Sequence, residues 1–174
     1  MKNFVIGLFL IGLTSLGFSQ NKNEETEEVK LEDVVVSTNV NLEYLSKVQD
    51  KTMSEHVKSL ENEASRFDVK TTDKFDGRRE SFKTIFRGTK GYIIATYDKE
   101  GKIIKTSEKY KDIKLPVPVR NSLFIEFPDW DVDNTTYVVS YYDKKDPKKV
   151  YKVEINKKNN IKTLKIDSDG TIKD

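Results

Sequence analysis

From Ser81 onward the chain alternates apolar and polar residues in short runs broken by Asp, Asn and Gly. Alternation with period two marks half-buried strands, and such breaks mark turns. The pattern predicts strands over Glu80–Arg87, Gly91–Asp98, Lys102–Tyr110, Trp130–Asp143, Lys149–Asn156 and Ile161–Asp167, with a last short strand starting at Ile172. A further strand is expected over Phe67–Lys74. Two segments carry helical spacing instead. Over Thr52–Phe67, Met53, Val57, Leu60 and Ala64 repeat as one stripe; Thr52 or Ser54 can N-cap the helix, and Thr52-Met53-Ser54-Glu55 has capping-box spacing. Over Leu115–Pro128 the stripe is Val119, Leu123 and Phe127, with Phe124 beside it; Pro116 and Pro118 suit a first turn and Pro128 a stop.

The pattern also occurs twice. A shift of 69 residues carries Phe82, Thr84 and Phe86 onto Tyr151, Val153 and Ile155. The same shift carries Tyr97-Asp98-Lys99-Glu100-Gly101-Lys102-Ile103 onto Ile166-Asp167-Ser168-Asp169-Gly170-Thr171-Ile172. Repetition at a fixed period sets architecture. The expected fold is α+β: two tandem helix-plus-antiparallel-meander units, about 45–112 and 113–174, packing their helices on one face of a curved sheet. Residues 31–174 form a single domain on this reading.

The first 30 residues read differently. Lys2, the apolar run Phe4–Leu13 and Gly17-Phe18-Ser19 have the order of a cleavable secretory signal, assigned to residues 1–20. No cysteine follows, so a lipoprotein anchor is not expected; the mature chain is expected to be periplasmic or secreted, without a stable membrane anchor. Residues 21–30 read as a disordered acidic linker. Leu31-Glu32-Asp33-Val34-Val35-Val36-Ser37 reads as an edge strand that completes the sheet or covers its open face. That string also resembles the Leu-x-Glu-Val-Val-Val stretch that opens TonB-dependent receptor plugs.

Without cysteine the core alone must hold the fold, which a domain of about 150 residues can do. Lys and Arg number 31 against 29 Asp and Glu, a net charge of +2, so composition gives no reason to expect nucleic acid as a partner.

The order of turns and core positions resembles a known family. Ala95 to Ile103 leads through Lys114-Leu115-Pro116 to Val119-Arg120-Asn121-Ser122-Leu123, then Phe127-Pro128-Asp129-Trp130, Lys149 to Ile155, and Leu164-Lys165-Ile166-Asp167-Ser168-Asp169-Gly170. This is similar to the PepSY-like, β-lactamase-inhibitor-like (BLIP-like) secreted proteins of Bacteroidetes. The resemblance covers about residues 80–174 and implies a two-unit fold. It also implies a role in binding or inhibiting other proteins outside the cytoplasm. The first helix departs from the family's pattern, lacking the Leu-Pro approach and the Pro exit.

Catalytic constellations are not found. His56 is the one histidine. It has neither a Gly-x-Ser-x-Gly elbow nor a second His or Cys for zinc. Phosphate-cradling glycine motifs are absent as well. Asp167-Ser168-Asp169-Gly170 hints at a calcium loop, but no Glu follows at the required spacing, and both copies read as hairpin turns. No acid sits in a run that predicts burial; Asp129 and Asp131, flanking Trp130, are the first place to look for a carboxylate pair. The chain is therefore read as a non-catalytic protein-binding module, without catalytic residue, metal or cofactor. A small hydrolase and a TonB-linked envelope protein are the alternatives.

Comparison of the two units selects a binding face. Ile85, Arg87, Tyr92 and Ile94 occupy positions that the second unit fills with Glu154, Asn156, Ile161 and Thr163. Apolar and aromatic groups with an Arg on an otherwise polar face mark protein interfaces. The competing expectation is that Val34–Val36 and the helix cover this face.

Overall fold

The computed structural model describes residues 26–29, 41–50, 52–73 and 75–173. The expected signal segment and the Leu31–Ser37 strand lie outside them. The described elements run β1 (Thr26–Val29), α1 (Leu42–Val48), α2 (Glu55–Arg66), β2 (Ser81–Gly88), β3 (Gly91–Asp98) and β4 (Ile103–Lys111). Then follow α3 (Val117–Glu126), β5 (Asp131–Tyr142), β6 (Lys148–Lys157), β7 (Asn160–Asp167) and β8 (Ile172–Lys173). The fold is α+β. One sheet takes the strands in chain order, and β2 to β8 are antiparallel throughout. Short turns force the order within β2–β3–β4 and within β5–β6–β7–β8, because consecutive strands joined by a few residues can only fold back on each other, while β4 and β5 are joined through α3.

Strand alternation decides which side is core. Phe82, Thr84 and Phe86 on β2 and Tyr151, Val153 and Ile155 on β6 are all buried, and so are Ile93, Ala95 and Tyr97 on β3. The helices cover this inner face. The predicted stripe is buried: Val57, Leu60 and Ala64 lie on α2, which packs on β2 and β3, and Met53 lies just before it, where it meets Tyr151 of β6. Burial contributes roughly 1.5–3 kcal/mol for each large side chain. Val119 and Leu123 are buried from α3. Tyr110, Tyr137 and Tyr151 stack across β4, β5 and β6, with centroids 6.1 and 4.7 Å apart. Among the described residues no helix is long and apolar enough to cross a membrane.

The repeated turns have one geometry. Asp98 N donates to Lys102 O at 2.9 Å and Gly101 N to Asp98 O at 3.0 Å; Asp167 N donates to Thr171 O at 2.9 Å and Gly170 N to Asp167 O at 3.0 Å. Gly101 and Gly170 sit at φ +85° and +94°, where a side chain would be strained.

Four local expectations need correction. The predicted strand Phe67–Lys74 is instead a 3₁₀ turn, Val69–Thr71, because the Asp68 carboxylate accepts the Lys70 amide at 3.0 Å and bends the backbone. The first meander therefore has three strands after its helices. Of the two N-cap candidates Ser54 takes the position, but no capping box forms: the Thr52 amide and hydroxyl both donate to Asp50 Oδ1, and Ser54 makes no side-chain cap bond. Thr26–Val29, expected as linker, pairs in parallel with β2 from Lys83 to Phe86. An open sheet edge offers unpaired backbone groups to any extended segment, whatever its composition. Finally, α1 has no counterpart among the predicted elements; seven residues anchored by Tyr44 and Val48 are too few for a periodic signal.

Candidate functional site

The four residues singled out from sequence lie together on the outer face of the sheet. Ile85 pairs with Ile94 and Arg87 with Tyr92 across β2 and β3. Ile85, Tyr92 and Ile94 are half-buried and Arg87 is exposed. The helices pack on the opposite face, so the expectation that a helix covers this site is overturned by the strand parity that buries Phe82, Thr84 and Phe86. Val34–Val36 lie outside the described residues.

Register extends the site across the molecule. The row through Arg87 and Tyr92 continues as Lys109, Val138, Val150 and Asp167. A neighbouring row reads Lys111, Thr136, Lys152, Lys165 and Lys173 across β4 to β8. Lys152 and Lys165 stand directly opposite each other, as do Lys165 and Lys173, although like charges in that position destabilise a sheet. Lys173 bridges Asp167 at 3.0 Å, and Lys105 lies over the Tyr142 ring at 5.3 Å. Lys109, Lys111, Lys148, Lys152 and Lys165 are exposed and have no ion pair among the described residues. The balanced total charge thus conceals a basic face. Only the register reveals it, because its lysines come from strands far apart in sequence.

A second feature lies on the inner side, where α3 meets β5 and β6. It is an open groove of about 410 Å³. Leu123 and Phe127 form one wall, Trp130 and Val132 another, and Ile155 and Ile113 line it further. Phe127 meets the Trp130 ring edge-on at 5.9 Å, and the Lys162 amine sits over that ring at 4.9 Å. The acids beside Trp130 do not enter the groove. Asp129 pairs with Lys157 at 3.1 Å, and Asp131 is exposed on β5.

The buried acids are elsewhere, which corrects the expectation that none would be buried. Glu61, on α2, and Glu108, on β4, are each 1% exposed. Glu108 accepts hydroxyls from Thr106, Tyr44 and Tyr110 at 2.7, 2.9 and 2.8 Å, yet burial still raises its pKa. Neither Glu61 oxygen has a hydrogen-bond partner of good geometry, nor has the neighbouring Gln49 Nε2. Burial, then the charge of Glu108, push the Glu61 carboxyl up to about 8. The alternation of Thr106, Glu108 and Tyr110 with Lys105, Ser107 and Lys109 was the signal for an inward Glu108. His56 is half-buried, its Nε2 3.4 Å from Ser54 Oγ, and burial lowers its pKa. Among the described residues no group of three or more metal-ligating side chains comes together.

No protein-family model matches the chain, and no curated protein matches it. Solved structures give distant likenesses. DUF2874 family proteins from Bacteroides ovatus and Bacteroides uniformis are each 16% identical, over 53% of this chain and 66% and 67% of theirs, with TM-scores of 0.34. A structure described as putative periplasmic proteins, from Bacteroides eggerthii, is 15% identical over 53% of this chain and 67% of its own, also at 0.34. A likeness this distant transfers no function.

Proposed function

We propose that this chain is a secreted, non-catalytic module that binds another extracytoplasmic protein through the outer face of its sheet. On this reading residues 1–20 are a cleaved signal, and the fold is a pair of tandem PepSY-like, β-lactamase-inhibitor-like units. The observation that carries the proposal is the continuity of two surfaces. The half-buried island of Ile85, Tyr92 and Ile94 runs directly into the lysine rows of β4 to β8. The partner surface that fits is apolar at its centre and acidic around it. The apolar centre is mostly aliphatic, Ile85, Ile94, Val138 and Val150, with Tyr92 and Tyr142 set apart rather than forming a run of stacking platforms, which favours a polypeptide over a nucleic acid. Docking of this kind inhibits a partner whose working surface is the one covered. The rival hydrolase reading looks for acids grouped around Trp130, and the groove there is lined by apolar side chains, Arg120 and Thr135.

The test is site-specific photo-crosslinking in the native envelope, followed by mass spectrometry. A crosslinker at Tyr92 or Lys109 is expected to trap the same acidic protein, and one at Ser59 on α2 is expected to miss it. Adding Ile94→Asp, or raising the salt, should abolish the adduct. If Tyr92→Asp and Ile94→Asp both fold and retain every partner of the wild type, the proposal fails.

A further inference from the structure

The groove beneath α3 has the makings of a small-molecule site, separate from the sheet face. Its volume of about 410 Å³ lies within the range of ligand pockets. One wall is braced: Trp130 lies between an edge contact with Phe127 and the Lys162 amine. Apolar surface is left open to water here: Phe124 is 76% exposed and Val132 47%. Exposed Phe and Val at the mouth of a concave apolar surface carry a hydration cost that a ligand removes.

The polar groups of the lining restrict what that ligand is. Only Arg120 and Thr135 bring polar side chains to it. The Thr135 hydroxyl already donates to Ile113 O at 2.9 Å. Arg120, one helical turn from Phe124, has no ion pair among the described residues, and no carboxylate lines the groove. A peptide laid here would leave its amides without partners, each at a desolvation cost. A molecule with one anionic end and an otherwise apolar body leaves nothing unsatisfied: its body covers Leu123, Phe127 and Trp130 while its carboxylate takes the planar guanidinium fork.

We infer that this groove binds a free aliphatic carboxylate of about eight to twelve carbons, with Arg120 as its anion contact.

Trp130 is the one tryptophan in the chain, so intrinsic fluorescence reports on the groove directly. The purified protein is titrated with decanoate, decanol and decyltrimethylammonium below their micellar concentrations. Decanoate is expected to shift the emission to the blue and to bind about tenfold more tightly than decanol, the cation being weakest. Arg120→Gln changes an exposed residue and is expected to erase the preference for decanoate while leaving decanol binding intact. Phe124→Asp, also at an exposed position, should weaken decanoate more than decanol. Equal binding of all three head groups, an unchanged preference in Arg120→Gln, or no saturable shift overturns the inference. So does an emission shift that follows protein concentration together with a doubled mass, which would make the groove a contact between copies.

Discussion

The two halves of the sheet share a strand pattern and differ in what covers it. Phe82, Thr84 and Phe86 under α2 are matched by Tyr151, Val153 and Ile155 in the half that α3 covers, and every one is at most 7% exposed. Above the first set lies the twelve-residue α2, which buries Val57, Leu60 and Ala64, with α1 packed on α2 and β5. Above the second lies one ten-residue helix that buries Val119 and Leu123 and leaves Phe124 in water. The same strand chemistry therefore ends as a sealed core in one half and as a grooved one in the other. Strand alternation fixed the inward positions; the length of the covering helices fixed where a cavity remains.

The largest effect expected from this contrast is in core truncation. Phe86 is fully buried and packs edge-on against Phe67 at 5.2 Å, so Phe86→Ala should cost about 3–5 kcal/mol. Leu123 borders the groove, where water already has access to part of its surroundings, so Leu123→Ala should cost about 2 kcal/mol, the low end for such a change. Urea unfolding of both variants measures the difference, and equal losses would mean that the second half is as tightly sealed as the first.

The sealed half also carries the buried acids, and their titration should be the next largest effect. Glu61 has an ordinary value of 4.5 and is pushed up to about 8 in the fold, and Glu108 is raised as well. Between those values the native state holds a proton that the unfolded chain has released. Stability contributed by the neutral acid is therefore fully present below about pH 4.5 and is lost as pH rises toward 8. The loss expected between pH 5 and 8 is on the order of 4 kcal/mol. Glu61→Gln should flatten that slope in denaturant unfolding at the two pH values; a slope unchanged by the substitution would place its origin elsewhere.

Much of this contrast was legible in the residues, for reasons that differ by element. The strands and their faces follow from period-two alternation, and the paired turns from glycines that must take positive φ. The face bearing Ile85, Arg87, Tyr92 and Ile94 was readable because parity alone decides it. Phe67–Lys74 misled, since Asp68 bonds its own backbone and competes with a strand for Val69. The lysine row was illegible until the register joined Lys111, Lys152, Lys165 and Lys173. The groove was illegible too, because it depends on how far α3 reaches across the sheet rather than on any motif.

The duplicated turn gives a finer test of what a neighbouring helix does. Gly101 and Gly170 have nearly the same backbone, so an alanine at either position incurs similar strain, about 1–2 kcal/mol. Their surroundings differ. A Cβ at 101 would meet the flexible Lys70 side chain at 3.5 Å and Val69 Cγ1 at 3.9 Å, both ordinary contacts, whereas one at 170 would come within 2.7 Å of Ser122 Oγ and 2.8 Å of Pro118 O on α3. Gly170→Ala should therefore cost about 2–4 kcal/mol in total, the excess being the overpacking of α3. Equal losses in thermal or denaturant unfolding would show that α3 yields to the turn rather than resting on it.

The smallest expected effect has the opposite sign and bears on the sheet's other face. Lys165 stands opposite Lys152 on one side and Lys173 on the other, an arrangement that costs stability at each pair. Lys165→Glu turns two repulsions into two attractions and should stabilise the fold by about 0.5 kcal/mol at low salt. The gain should fade as salt approaches 1 M, where charges this exposed are screened within about 3 Å. The same substitution should weaken capture of the acidic partner trapped from Tyr92. Higher stability together with weaker binding is the signature of lysines retained for an interface rather than for the sheet. If Lys165→Glu lowers stability at low salt, the row is not under repulsion, and its lysines are not held there at the sheet's expense.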